Sequence, residues 1–152
     1  MIAFEVLGDP IAKARPRFTR GGHVYTATST RVAEGQVYME ATKAMDGNTP
    51  MLGPLFVFVV AHLAIPKSWS KKRQQMADMR LIHPDKRPDL DNLVKLVTDG
   101  MNGVCYEDDK QIVFIQAGKV YDRRVYTEIC VGLYDDNFFP PFENATDLGG
   151  MN

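Results

Sequence analysis

The stretch RPDLDNLVKLVTDGMNGVCYEDDKQI, residues 87–112, joins a clear helical period to an unusual density of acid. Leu90, Leu93, Val94, Val97 and Met101 fall at i, i+3, i+4, i+7 and i+11, one apolar stripe on a helix that starts at Asp89 or Leu90. Pro88 biases the approach toward extended backbone, and Asn102-Gly103 offers a left-handed stop. Six carboxylates, Asp89, Asp91, Asp99, Glu107, Asp108 and Asp109, share this segment with only Lys95 among them. Their mutual repulsion must be relieved by a cation or by distance.

Around this helix the chain reads as an α+β domain, in the order βαβαββ with small additions, a layer of helix against a mixed sheet. Residues 2–7 form an opening strand. Residues 17–25 form a small basic and aromatic hairpin around Gly21-Gly22. A helix is expected from about Ser29 to Met45, capped by Ser29 or Thr30, with Ala33, Val37, Ala41 and Ala44 at helical spacing. Leu55 to Ile65 reads as the central strand, apolar on both faces and covered on both sides. Ser68 caps a short basic helix running through Met79, and two X-Pro steps make residues 80–87 a loop. Val104 to Tyr106 reads as a short strand, and Gln111–Tyr121 with Val125–Leu133 as a hairpin around Asp122-Arg123-Arg124. The domain is expected over residues 1–134, with an acidic, mobile tail over 135–152.

The 152 residues carry a net charge of −1, which selects no partner class, but the charges are unevenly placed. Residues 10–33 hold Lys13, Arg15, Arg17, Arg20 and Arg31 and no acid. A phosphate-contacting arm fits this composition, with Phe18 and Tyr25 available to stack on bases; a solvated hairpin is the plainer reading. Trp69, Lys71, Lys72, Arg73, Lys86 and Arg87 make a second basic segment ahead of the acidic one. The apolar run 55–65 is too short for a membrane helix, which needs roughly 20 residues. Cys105 and Cys130 in apolar segments read as reduced core thiols of a cytoplasmic protein. His62, within the apolar strand, reads as structural.

The acids invite a closer count. Asp91, Lys95 and Asp99 at i, i+4 and i+8 line one helical stripe, and Asp89 can converge with Asp91 at the helix start. That end tolerates carboxylates, by about 0.3–1 kcal/mol each when exposed, but a third carboxylate exceeds this. From Asp91 to Asn102 the helix climbs about 17 Å, and the residues from Gly103 to Asp109 can return at most about 25 Å. An Asp108-Asp109 pair can therefore reach the helix start. Three carboxylates offering oxygen ligands alone suit Mg²⁺ or Mn²⁺ rather than Zn²⁺, and such a site suits phosphodiester hydrolysis, with a lysine to meet transition-state charge. Read from pattern alone, the same acids serve equally as helix caps and solvated loop ends.

Order and spacing add a resemblance. Arg87-Pro88-Asp89-Leu90-Asp91-Asn92-Leu93-Val94-Lys95, then Asp99-Gly100-Met101-Asn102-Gly103-Val104, then Glu107-Asp108-Asp109-Lys110-Gln111-Ile112 resembles the RusA family of Holliday junction resolvases. Lys13-Ala14-Arg15-Pro16-Arg17-Phe18-Thr19 with Val24-Tyr25-Thr26 resembles the N-terminal arm of its phage and prophage members, and Ile65-Pro66-Lys67-Ser68-Trp69-Ser70 also fits. The resemblance covers roughly residues 1–133. It implies that Asp89, Asp91 and Asp109 bind metal, with Asp108 an adjoining candidate, and that Lys95 is the catalytic lysine. It further implies a Mg²⁺-dependent homodimer that nicks symmetrically related strands of a four-way DNA junction. The rivals are a nuclease for other branched DNA or RNA, and a DNA-binding module without catalysis.

Overall fold

The computed structural model describes residues 1–14, 17–18, 20–21, 24–25 and 27–135, with backbone alone at 17, 18, 24 and 25. Strands β1 (Ile2–Leu7), β4 (Leu55–Ala64), β5 (Ile112–Asp122) and β6 (Tyr126–Leu133) form one mixed sheet in the order β1-β6-β4-β5, and β2 (Arg17–Phe18) pairs with β3 (Val24–Tyr25) as a separate hairpin. Helices α1 (Thr28–Met45), α2 (Lys71–Asp78) and α3 (Leu90–Met101) complete the α+β fold. Of the expected tail over 135–152, residues 136–152 lie outside the described residues.

The apolar run of β4 earns its central place because both of its edges are paired, with β5 in parallel and with β6 antiparallel. That corrects the expected hairpin: β5 and β6 are consecutive but not neighbours, since β4 lies between them. Four residue steps from Asp122 to Tyr126 extend about 13 Å. Two strand spacings need only about 9.6 Å, so the short link can pass over the end of β4. A turn of this length therefore fits either pairing, and the strand with two apolar faces takes the middle.

On one face, α1 and α3 bury Ala33, Val37, Ala41, Met45, Leu93, Val97 and Met101 against Val57, Val59, Ala61, Ile129 and Val131. Each large side chain so buried contributes roughly 1.5–3 kcal/mol. The other face carries an aromatic row, Phe56 to Phe58 at 5.1 Å, Phe58 to Phe114 at 6.1 Å and Phe114 to Tyr134 at 6.3 Å between ring centres. His62 is buried there as a structural residue, its Nδ1 2.9 Å from Asp122 Oδ2 and its ring stacked 4.0 Å from Tyr126.

Three local expectations change. Helix α1 starts one residue earlier, with Ala27 at the cap and no side-chain cap bond; the Thr30 hydroxyl instead accepts the Ala14 N–H at 3.1 Å. Ser70, not Ser68, caps α2. Tyr106 makes only isolated bridges to Met51 and Asn102 rather than a strand, because its buried ring is tied through its hydroxyl to Thr98 O at 2.7 Å.

The approach of α1 to α3 depends on Gly100. A Cβ there would lie 2.7 Å from Val37 Cβ and 3.1 Å from Glu34 O, whereas one on Gly35, exposed on α1, would meet nothing within 4 Å. Ala is the better helix former by about 1 kcal/mol. Gly35→Ala should therefore stabilise by up to that amount, while Gly100→Ala should destabilise by roughly 1–3 kcal/mol because helix packing must open. Denaturant unfolding of the two variants checks the opposite signs.

Candidate active site

Asp89 occupies the N-cap of α3 in extended conformation (φ −67°, ψ 129°) and makes no side-chain cap bond. Its carboxylate, exposed to solvent, meets the Asn92 amide among the described residues, Nδ2 to Oδ2 at 3.3 Å. Asp91, in the first turn, is exposed. The segment before them is held from the sheet: Lys119 on β5 donates to Lys86 O at 2.6 Å and Pro88 O at 3.1 Å. Sequence reasoning missed Lys119. The available signal was a lone cation among Ala117, Gly118 and Val120, in register with the buried Ala61.

After α3 the chain reverses at Gly103 (φ 72°), whose N–H donates to Tyr106 O at 2.8 Å. Asp108 then caps a 3-10 turn, Asp109–Gln111. Its Oδ1 accepts the Lys110 N–H at 2.9 Å, and that bond holds its pKa below the usual carboxylate range. The Gln111 Oε1 accepts N–H groups of Glu107 at 3.0 Å and Asp108 at 3.2 Å, while its Nε2 donates to Met51 O at 2.9 Å. Asp108 thus acts in the turn, and Asp109 is the residue delivered to the helix.

The meeting point is Lys95. Its Nζ lies 2.9 Å from Asp109 Oδ2 and 2.8 Å from Asp99 Oδ1, so Asp109 is brought against α3 at Lys95 and Asp99, one and two turns beyond Asp91. Asp99 and then Asp109 raise the Lys95 pKa through these hydrogen bonds, keeping the ammonium charged. Asp99 also binds Lys13, which pairs with Glu34 of α1 at 3.0 Å. Burial pushes the Asp99 pKa up, but bonds from Lys13 and Lys95 outweigh it and leave the group lowered. The result is an alternating chain of charge, Glu34, Lys13, Asp99, Lys95 and Asp109. Among the described residues no three His, Cys, Asp or Glu side chains form a ready metal-holding group; ammonium groups bridge the acids.

Beside the helix start runs an open groove of about 750 Å³, lined by Lys13, Leu63, Arg87, Pro88, Asp89 and Asn92 among others. Its lining sets the exposed Arg87 beside two exposed carboxylates, Asp9 and Asp89, while Lys13 is already paired with acids.

A family model described as "Endodeoxyribonuclease RusA" matches residues 8–131. The chain belongs to the RusA endodeoxyribonuclease family. A Bacillus subtilis (strain 168) relative, described as "Uncharacterized protein YqaN", is 32% identical over 134 residues, which span 86% of this chain and 94% of that protein.

The other basic candidates of this RusA-family chain fall in three places. Arg15 lies outside the described residues, as do the side chains of Arg17, Phe18 and Tyr25, whose backbones form β2 and β3; Arg20 is exposed at the intervening turn. Arg31 is exposed on α1 and lines a shallow pocket with Asp99. On and beside α2, Arg73 stacks over Trp69 at 4.0 Å, and Trp69 meets Tyr121 edge-on at 5.2 Å. Lys71, Lys72, Lys86 and Arg87 are exposed. No helix among the described residues is long and apolar enough to cross a membrane.

Proposed function

We propose that this RusA-family chain resolves four-way DNA junctions by paired nicks, acting as a homodimer with a Mg²⁺ requirement that Mn²⁺ can meet. The observation that carries this reading is the pairing of Asp109 with Lys95, one turn into the helix that opens with Asp89 and Asp91.

Asp89, Asp91 and Asp109 would hold the ion, with Asp108 remaining the cap of its turn. The donor set fits a hard cation: it is all oxygen, and among the described residues the Asp89 carboxylate meets just the neighbouring Asn92 amide, at 3.3 Å. When bound, the ion supplies Lewis-acid stabilisation and an activated water. The protein's own groups do the rest. Lys95 presents a permanent positive charge to a phosphate seated at the helix start, where the N-terminal dipole adds to it. Lys119 fixes the backbone that carries Asp89, so the carboxylate does not reorganise as charge develops. Arg87 and the exposed lysines of α2 neutralise backbone phosphates. A two-fold dimer presents two such sites with the symmetry of a four-way junction, which accounts for paired nicks.

Incubation with a synthetic four-way junction, linear duplex, flap and RNA, with Mg²⁺ or with chelator, tests the proposal. Metal-dependent paired nicks in the junction are expected. Equal cutting of all substrates, cutting in chelator, or no cutting of the junction overturns it.

A further inference from the structure

Lys13 opens the basic arm and would ordinarily be grouped with the residues that grip phosphate. Its surroundings argue otherwise. Its backbone N–H donates to Asn92 O on α3 at 3.0 Å, and the next residue, Ala14, is tied to the buried Thr30 hydroxyl of α1. Its ammonium pairs with Glu34 and with Asp99, and its side chain is only 30% exposed. Two carboxylates from two helices thus already satisfy the charge that a phosphate would need.

Asp99 divides its oxygens, Oδ2 to Lys13 and Oδ1 to Lys95. Without Lys13, Asp99 would keep both oxygens for Lys95, and the five-membered charge chain would carry one more uncompensated negative charge. Lys95 would be drawn along α3 toward Asp99 and away from Asp109, the side on which a reacting phosphate would sit.

We propose that Lys13 is a positioning residue for Lys95, acting through Asp99, and not a DNA contact; the role rests on the nuclease reading above. It also makes the base of the N-terminal arm part of the active-site frame, since the same residue joins α1, α3 and the arm.

The test compares Lys13→Met, Lys13→Arg, Asp99→Asn and the Lys13→Met/Asp99→Asn double variant with wild type. Single-turnover cleavage is measured in Mg²⁺, and junction affinity in chelator over a salt series. Lys13→Met should slow cleavage on the order of 10- to 100-fold, the usual cost of loosening a supporting residue. Its affinity and salt slope should be unchanged, the Arg variant should recover most of the rate, and the double variant should be no slower than Asp99→Asn. A salt slope smaller by about 0.9 with cleavage at saturating enzyme intact would make Lys13 a phosphate contact and overturn the proposal. An additive double variant, or a Lys13→Met rate equal to wild type, would overturn it as well. Wild type inactive on the junction would instead sink the nuclease reading, and this proposal with it.

Discussion

Asp91→Asn should lower junction cleavage by about 10²–10³-fold or more while leaving the fold intact. The side chain is exposed in the first turn of α3. Asparagine preserves its shape and removes only the charge. The cost to the helix is the lost dipole interaction, about 0.3–1 kcal/mol, offset by relief of repulsion from Asp89. A large rate effect therefore cannot come from unfolding. The measurement is single-turnover cleavage beside a thermal melt and junction binding; normal cutting by the variant would remove Asp91 from the site.

Lys95→Met should be nearly as severe for a different reason. Its ammonium links Asp109 to Asp99, but the side chain is 54% exposed, so solvent screens these pairs and their share of stability is small. What is lost is positive charge where the reacting phosphate gains negative charge, about 10²–10³-fold in rate. Because that contact strengthens in the transition state, kcat and kcat/KM should fall together. A variant that raises KM alone would place Lys95 in ground-state DNA binding instead.

Much of the frame was readable in the chain, and the reasons are local. The stripe of Leu93, Val97 and Met101 marks a helix face, and those side chains are buried. Pro88, Asp89 and Asn102-Gly103 bracket it, and Lys95 meets Asp99 one turn on, as the spacing requires. The breadth of apolar character in β4 marks its central position. What was not legible depends on distant partners. Whether β5 and β6 pair or straddle β4 is not encoded in a short polar link that serves both. The Thr30 hydroxyl looked like a helix cap, but a backbone N–H from the arm reaches it. Lys13 and Asp99 are far apart in sequence, and their pairing follows from the backbone bond that ties Lys13 N–H to Asn92 O on α3. Lys119 bonds to backbone carbonyls, which no residue pattern announces.

The central claim is that acids from the start of α3 and from the turn at Asp109 share one divalent ion when the site is loaded. Crystals of the protein soaked in Mn²⁺ test this most directly by anomalous scattering. The account predicts a peak ligated by carboxylate oxygens of Asp109 and of Asp89 or Asp91 together, at roughly 2.0–2.2 Å, near the Mg²⁺ distance. A peak on one segment alone, or none while the same preparation cuts junctions in chelator, would contradict it.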